Sequence, residues 1–301
     1  TGLSSHMREE DTFSELLRLL KSKLFSLNNK KKRKQEIEYR LRYTTGPKDS
    51  ESMKIGIVSD IEGAIDNARR SAQKLKREDP DIIIIAGDCY ENHHIRSAPM
   101  FPDETNKSRQ MRRAIEPYAK IDVPVFVMPG NHEREDVYID CLKKLKARFP
   151  KVKDMHKKTH ITKYISMIFL GGYHNPLMTE PRGFTIDESD YEWLHKKLKQ
   201  LKKKGRPILF VSHGPPMSTG MLDFLPFFGN VGDEVISDIV SSFKGDMINL
   251  HGHIHEKCGE HYRFKDTISI NISSITNFSN NRFPNTGVID ILDGKIVYKE
   301  I

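Results

Sequence analysis

Five short apolar runs in this chain each end at a segment that carries Asp, Asn, Glu or His side chains. Short apolar runs that stop at Gly, Ser or Asp are typical of buried strands. Five strand ends lying side by side would bring these polar side chains together at the rim of a sheet, and such a cluster indicates a metal site. The segments are Asp60-Ile61-Glu62, Gly87-Asp88, Gly130-Asn131-His132-Glu133, Ser212-His213-Gly214 and Gly252-His253-Ile254-His255.

The composition is that of an ordinary globular chain, with 30% charged and 37% hydrophobic residues among 301, enough for one large α/β domain. No apolar stretch approaches the roughly 20 residues of a membrane span, and the start has no apolar signal-peptide core. We therefore expect no transmembrane segment. Three widely spaced cysteines favour a reducing compartment over a disulfide framework, which predicts a cytoplasmic protein.

The net charge of +8 is concentrated near the N-terminus. Residues 1–50 carry 12 Lys and Arg against 7 Asp and Glu, and the remainder carries 37 against 34. Apolar residues at helical spacing predict an amphipathic helix over residues 8–27, followed by the basic run Lys30-Lys31-Lys32-Arg33-Lys34. We predict an N-terminal extension over residues 1–50 and a catalytic domain over 51–301. The basic run could bind nucleic acid or an anionic membrane surface, or its charges could stay in water.

Strands and helices alternate along the catalytic domain. Strands are predicted over residues 53–59, 81–86, 125–128, 159–165, 167–173, 207–211 and 247–250, and helices over 64–76, 105–119, 136–148, 187–204 and 233–243. Asp293-Gly294 predicts a hairpin turn near the C-terminus. This order predicts an α/β (α+β) fold with more antiparallel pairing in the second half.

The strand-end side chains suit phosphoester hydrolysis by two metal ions about 3.5–4 Å apart, which would supply a metal-bound hydroxide nucleophile and neutralise phosphoryl oxygen charge. Asp88 is the candidate bridging carboxylate, Asn131 offers a neutral oxygen, and imidazole nitrogens come from the histidines of the last two segments. This mixed oxygen and nitrogen set favours Mn, Fe, Zn or Co over Ca. His132 would provide the leaving-group proton.

In their order and spacing, the segments from Gly87-Asp88 to Gly252-His253-Ile254-His255 resemble the calcineurin-like metallophosphoesterase superfamily, and in particular its small prokaryotic and archaeal members. The resemblance covers about residues 53–299. It implies a sandwich of two packed mixed β-sheets flanked by helices, with a dinuclear metal site at the strand ends. It also implies His132 as the catalytic histidine. The implied first-metal ligands are Asp60, Asp88 and His255, and the implied second-metal ligands are Asp88, Asn131, His213 and His253.

The first segment departs from the family pattern Asp-x-His, because Glu62 occupies the position of a first-metal histidine. A ligating carboxylate would add negative charge and oxygen, favouring a harder ion such as Mn or Mg. It would also weaken the Lewis acidity of that metal. Alternatively, Glu62 points away and only favours the helix N-terminus that follows Gly63. We predict Glu62 as a ligand and two divalent ions, with Mn preferred among Mn, Fe, Zn, Mg and Co.

Several other residues are candidate substrate contacts or neighbours of the site. His174 and Asn175 follow a predicted strand and are candidate substrate contacts. His251 and Cys89 are predicted as buried neighbours of the site. His93 and His94, in the loop after Asp88, could contact substrate. The apolar loop 217–229 could form a wall over the metals, a homodimer contact or part of the core.

The sequence therefore predicts a dinuclear metal-dependent hydrolase of phosphomonoesters or phosphodiesters. Two alternatives stay open. One is a nuclease recruited to nucleic acid by the basic extension, and the other is a metal-binding scaffold with weakened catalysis, for which Glu62 is the only support.

Overall fold

The apolar runs predicted as strands form the centres of two β-sheets. The computed structural model describes residues 36–42, 52–90, 104–218, 220–225, 228–273, 286–292 and 294–301, and Glu36–Ile301 form one compact unit. The predicted amphipathic helix, the run Lys30–Lys34, and His93 and His94 lie outside the described residues.

The first sheet has seven strands in the order β1-β15-β14-β2-β3-β4-β5. Strands β2 to β5 are parallel, and β14 and β15 form an antiparallel hairpin that continues the sheet on the other side of β2. The strands are β1 (Glu36–Arg40), β2 (Met53–Val58), β3 (Ile82–Ala86), β4 (Val125–Met128), β5 (Val152–Asp154), β14 (Gly287–Leu292) and β15 (Lys295–Glu300).

The second sheet has six strands in the order β12-β13-β11-β8-β7-β6. Its central strands β13, β11, β8 and β7 are parallel, and the edge strands β6 and β12 are antiparallel to their neighbours. A two-stranded hairpin, β9 (Phe224–Leu225) and β10 (Gly229–Asn230), stands apart from both sheets. The strands of the second sheet are β6 (Lys158–Ile161), β7 (Ser166–Leu170), β8 (Ile208–Ser212), β11 (Met247–His251), β12 (His261–Phe264) and β13 (Thr267–Asn271).

Five α-helices are present in the described part of the chain: α1 (Ile65–Glu78), α2 (Glu104–Ala119), α3 (Glu135–Arg148), α4 (Glu188–Lys202) and α5 (Glu234–Ser242). The helix starts predicted at Asp187 and Asp233 are confirmed, since both carboxylates cap helix N-termini. Asp187 accepts a hydrogen bond from Asp190 N, and Asp233 accepts one from Ile236 N. None of the helices described here is long and apolar enough to cross a membrane.

The core has three layers of packing, which explains why the strands are apolar on both faces. In β3, Ile82 and Ile84 point into the core between the two sheets, whereas Ile83 and Ile85 face helices α1 to α3. A third cluster packs the outer face of the second sheet against α4 and α5. The predicted sandwich of two mixed sheets flanked by helices is confirmed.

The strand at one edge of the first sheet was not predicted. Strand β1 pairs antiparallel with β15 at the edge of the first sheet, and only Ile37 and Tyr39 of its five residues are buried. The sheet therefore includes residues on the N-terminal side of position 50. The division of the chain near that position into an extension and a catalytic domain stays a prediction.

Candidate metal centre

The loops that carry the predicted site residues have a strained backbone. Asp60, Glu62, Asp88 and His253 all have positive φ angles, between 43° and 72°, in the left-handed region that non-glycine residues seldom adopt. Such outliers cost about 1–3 kcal/mol each and cluster at functional sites. The strain at four predicted site residues is therefore an independent indication of function.

Glycines allow these loops to approach each other closely. A Cβ atom at Gly130 would overlap the Asp88 carboxylate, and one at Gly252 would overlap the Asp60 carboxylate. The Asp60 carboxylate also accepts a hydrogen bond from His253 N at 2.9 Å, which joins a loop of the first sheet to a loop of the second. The glycines of the motifs thus let five strand ends from two sheets meet at one place.

One set of side chains, here called the imidazole cluster, consists of Asp88, Asn131, His213 and His253. Asn131 Nδ2 donates to Met178 O at 2.6 Å, which turns Asn131 Oδ1 toward the two rings. This oxygen lies 2.8 Å from His213 Nε2 and 2.9 Å from His253 Nδ1. Asp88 Oδ2 lies 3.2 Å from His213 Nε2. Potential ligand atoms of all four side chains thus converge on one point.

A second set, here called the carboxylate cluster, consists of Asp60, Glu62, Asp88 and His255. His255 Nε2 lies 3.4 Å from both Asp60 Oδ1 and Glu62 Oε1. The Glu62 side chain is 7% exposed and points into the site. The alternative prediction, that Glu62 points away, is wrong, because Glu62 Oε1 lies 3.4 Å from His255 Nε2 and 3.8 Å from His132 Nδ1.

His132 lies between the two clusters. Its Nδ1 is 3.6 Å from Asp88 Oδ2 and 3.8 Å from Glu62 Oε1, and it has no hydrogen-bond partner among the described residues. Its backbone N–H donates to Asp88 Oδ1 at 2.9 Å. Burial raises the pKa of Asp88, but the neighbouring His132 and His213 outweigh burial and hold it well below the usual range, so Asp88 is an anion.

Two of the three cluster histidines, His213 and His255, have raised pKa values, whereas that of His253 is lowered. Burial opposes the charged form of His213, but Asp88 outweighs this and raises the pKa of His213 to about 9. Burial is likewise outweighed at His255, where Glu62 raises the pKa to about 10. Burial and the nearby His213 lower the pKa of His253 to about 3. Each cluster therefore attracts positive charge onto one of its imidazoles.

The donor atoms fit a divalent cation. His213 Nδ1 lies 2.9 Å from Ala86 O, which only accepts hydrogen bonds, so Nδ1 carries the proton and neutral His213 presents a lone pair at Nε2. That lone pair faces the oxygens of Asn131 and Asp88, an arrangement that is repulsive unless a proton or a cation lies among them. In the other cluster, the buried Asp60 Oδ2 has no hydrogen-bond partner in the described part of the chain.

Glu133 belongs to a predicted segment, but the sequence suggested no role for it. Its buried carboxylate accepts backbone hydrogen bonds from Asp88 N, Cys89 N and Gly130 N at 2.6–2.9 Å. Burial and the nearby Asp88 raise the pKa of Glu133 to about 7. Glu133 thus ties the loop after β3 to the loop after β4 and holds the Asp88 backbone in place.

The remaining predicted neighbours have mixed outcomes. His251 and Cys89 are fully buried, as predicted. His174 is at the rim, with Nδ1 3.8 Å from Asp233 Oδ2. Asn175 Oδ1 accepts from Leu177 N in a short 3₁₀ turn, a local role that the sequence did not suggest. Neither His174 nor Asn175 has a polar contact with the two clusters among the described residues.

Tyr173 was not predicted and contacts the site directly. Its ring lies 4.1 Å from the ring of His253, and its hydroxyl donates to Val231 O at the base of the apolar loop 217–229. In that loop Leu222 is buried, whereas Phe224 and Phe228 are 45% and 71% exposed. Simple core filling therefore does not account for the whole loop.

Comparisons with known proteins agree with this geometry. A family model described as calcineurin-like phosphoesterase matches residues 53–257, which include every residue of both clusters. The chain belongs to this family. The family is metal-dependent, and the described residues offer two groups with ligand atoms within 4.8 Å of one another, Asp88 with His213 and His253, and Asp88 with Glu62 and His132.

Two relatives and one solved structure that match this chain are distant in sequence. A probable glycerophosphodiester phosphodiesterase of Arcobacter nitrofigilis is 25% identical over 198 residues, covering 65% of this chain and 64% of the relative, so the chain spans slightly less than two thirds of that relative's length. An uncharacterized protein of Methanocaldococcus jannaschii is 25% identical over 80% of this chain and 98% of its own length. The crystal structure of a dimetal phosphatase from Danio rerio matches with a TM-score of 0.60 and 13% identity, over 82% of this chain and 95% of that one, and supports the fold alone.

Proposed function

We propose that this protein hydrolyses phosphate esters with two divalent cations, one in each cluster. The observation that carries the proposal is the convergence of Asn131 Oδ1 on His213 Nε2 and His253 Nδ1 at 2.8 and 2.9 Å. An amide oxygen that lies beside two imidazole nitrogens and the Asp88 carboxylate in a buried site is a donor set that fits a divalent cation.

Asp88 belongs to both clusters and would be a ligand to both cations. Asp60, Glu62 and His255 would hold one ion, and Asn131, His213 and His253 would hold the other. When bound, the ions supply Lewis acidity that neutralises phosphoryl oxygen charge and lowers the pKa of a water nucleophile. The Asp60 and Glu62 carboxylates favour Mn or Mg over Zn and Co, because hard oxygen donors suit hard cations, and the His255 imidazole favours Mn over Mg.

His132 would provide the leaving-group proton. Its side chain is 10% exposed, and its Nδ1 is without a partner among the described residues, so this atom is free to hold a proton and deliver it to a departing oxygen. Its Nδ1 lies 3.6 Å from Asp88 Oδ2 and 3.8 Å from Glu62 Oε1, which places the ring beside both clusters.

Among phosphate esters, we propose a phosphodiester as the substrate. The support is the name of one relative, a probable glycerophosphodiester phosphodiesterase, and a glycerophosphodiester belongs in any substrate panel for that reason. Nucleic-acid binding through Lys30–Lys34, a homodimer and a cytoplasmic location stay predictions, as do substrate contacts from His174 and Asn175.

The test is turnover by the metal-stripped protein before and after addition of Mn²⁺. The panel contains an aryl phosphodiester, an aryl phosphomonoester, a glycerophosphodiester, a cyclic nucleotide and single-stranded RNA. We expect hydrolysis of the diesters only with Mn²⁺, and no hydrolysis by the Asn131→Ala variant. Absence of turnover of every ester with Mn²⁺, Zn²⁺ and Co²⁺ would contradict the proposal and favour the scaffold.

RNA cleavage that depends on the N-terminal residues would instead favour the nuclease. The deletion that tests this should end before Glu36, because β1 (Glu36–Arg40) belongs to the first sheet. A nuclease recruited by the basic run would lose RNA binding in that deletion and keep turnover of small esters.

A further inference from the structure

The segment 175–183, here called the strap, crosses the loop that carries Asn131. Met178 O accepts from Asn131 Nδ2 at 2.6 Å, and Glu180 N donates to Asn131 O at 2.8 Å. Farther along, Arg182 O accepts from Glu135 N at 3.0 Å. The strap thus contacts both the side chain and the backbone of a proposed cation ligand.

The strap is fastened to helix α2 by an ion pair. Lys107 Nζ lies 2.6 Å from Glu180 Oε1, with the two side chains 10% and 5% exposed. The outer side of the strap is open to solvent, since Leu177 is 94% exposed. Burying two opposite charges costs desolvation free energy that can offset their attraction, so such a pair adds little to stability. Its presence on an otherwise exposed segment indicates that it positions the strap.

The contact from Met178 decides which way the Asn131 amide faces. An amide presents an oxygen on one side and an NH₂ group on the other. With Met178 O accepting from Nδ2, the oxygen faces His213 and His253. If the strap moved away, the amide could rotate by half a turn, and its NH₂ group would face the two imidazole nitrogens. In that orientation Asn131 offers a cation no ligand atom, because an amide NH₂ group only donates hydrogen bonds.

We propose that Glu180 and Lys107 are positioning residues that hold the strap so that Asn131 presents its oxygen to the cation of the imidazole cluster. This inference rests on the proposed function, because it takes Asn131 to be a cation ligand. It concerns one cluster only. The strap hydrogen bonds given above reach Asn131 and Glu135, neither of which belongs to the carboxylate cluster.

The test is calorimetric titration of the metal-stripped full chain with Mn²⁺, comparing wild type with Glu180→Gln. Mutation of a group that orients a metal ligand typically weakens metal binding by about 10- to 100-fold. We expect a loss of this size for one of the two Mn²⁺ binding events and an unchanged affinity for the other. The double variant Lys107→Met/Glu180→Gln leaves no buried single charge and should show the same selective loss.

A second readout reports on the ligands themselves. The visible absorption of the Co²⁺-loaded protein depends on the number and type of donor atoms, so loss of the Asn131 oxygen should change the band of one Co²⁺ ion. The control is Asp190→Asn, which breaks the pair at 2.5 Å between Lys157, in the loop before β6, and Asp190 in the first turn of helix α4. It should lower thermal stability without changing either Mn²⁺ affinity or the Co²⁺ spectrum.

The outcomes are distinct. A selective loss at one cation, with a changed Co²⁺ band and an unaffected control, supports the inference. Wild-type-like affinities and spectrum in both Glu180 variants overturn it, and so does an equal loss at both cations that the control reproduces. If the wild-type protein itself binds no Mn²⁺, the proposed function fails first, and the inference fails with it.

Discussion

The two clusters share Asp88 but are built differently. In the imidazole cluster, Asn131 Oδ1 lies within 2.9 Å of both His213 and His253, and His213 is fully buried. In the carboxylate cluster the distances from His255 to its acidic neighbours are 3.4 Å, and His255 is 26% exposed. One cluster is more compact, whereas the other is wider and richer in oxygen, and its His255 is partly exposed.

This difference indicates which of the two clusters has the more firmly held ligand geometry. The compact cluster is tied to its surroundings by Ala86 O, Met178 O and the Glu133 carboxylate, so its geometry is set before a cation arrives. The wider cluster depends on Glu62, whose carboxylate can bind through one or two oxygens. We therefore expect the ion of the imidazole cluster to bind more tightly, and the ion of the carboxylate cluster to be exchangeable.

Removing the shared carboxylate should have the largest effect, because it affects both clusters at once. Asp88→Asn should lose at least one cation and lower kcat/KM for an aryl phosphodiester by about 1,000-fold or more, since metal stabilisation of transition-state charge amounts to several kcal/mol. Metal content by mass spectrometry and steady-state kinetics provide the measurement. The exposed Asp66→Asn serves as the control. A variant with both cations and near-normal turnover would mean that the clusters do not share a ligand.

His132 should matter for catalysis and not for cation binding. His132→Asn should lower kcat by about 100- to 10,000-fold, the range for loss of a general acid, and leave the metal content unchanged. The loss should be smaller for a p-nitrophenyl ester than for an alkyl ester, because the aryl leaving group needs little protonation. Equal losses for both esters would contradict the role of proton donor.

Changing Glu62 should affect one cluster alone. Glu62→His restores an imidazole in the carboxylate cluster, so we expect about tenfold weaker Mn²⁺ binding there relative to Zn²⁺ and no change in the other cluster. Competition between Mn²⁺ and Zn²⁺ at equal concentrations measures this, with Glu62→Gln as the variant of equal size. Unchanged metal preference and rate would exclude Glu62 as a ligand.

The pH dependence should be the smallest effect. In protein stripped of cations, the pKa values of His213 and His255 are raised to about 9 and about 10. A raised histidine pKa stabilises the fold fully below the unfolded value of about 6.5, and this stabilisation is lost as pH rises through the folded values. The stripped protein should therefore lose thermal stability between about pH 6.5 and 10.

Proton release tests the same assignment. At pH 7 both cations together should displace about two protons, one from each cluster, because a ligating imidazole must be neutral. His253, with a pKa of about 3, should release none. Calorimetry in buffers of different ionisation enthalpy counts these protons, and release of none would contradict the assignment of His213 and His255.

The strands that carry the site could be predicted closely from the sequence, because each is a continuous apolar run bounded by a motif. Strand β4 has the predicted bounds Val125–Met128. Strand β1 was missed because only Ile37 and Tyr39 of its residues are apolar. Two apolar residues that alternate with polar ones are typical of an edge strand, but they also occur in polar loops. Strand β12 (His261–Phe264) was missed for the same reason.

The support of the site could not be predicted, because it depends on contacts between distant residues. Asn131 is 47 residues from Met178, and Glu133 is 45 residues from Asp88. The motifs identified which residues converge, but nothing local in the sequence specified the strap or the inward turn of Glu62. Both depend on how loops from separate strands fit together.

The hydrogen bond from His253 N to the Asp60 carboxylate spans the seam between the two sheets, and the proposed ligands are divided across that seam. Asp60, Asp88 and Asn131 follow strands of the first sheet, whereas His213 and His255 follow strands of the second. A cation held there would act as a removable cross-link that forms only after both halves of the sandwich have assembled. Because such an ion binds the folded chain alone, it would raise the free energy of unfolding as its concentration increases and make the two sheets melt as one unit.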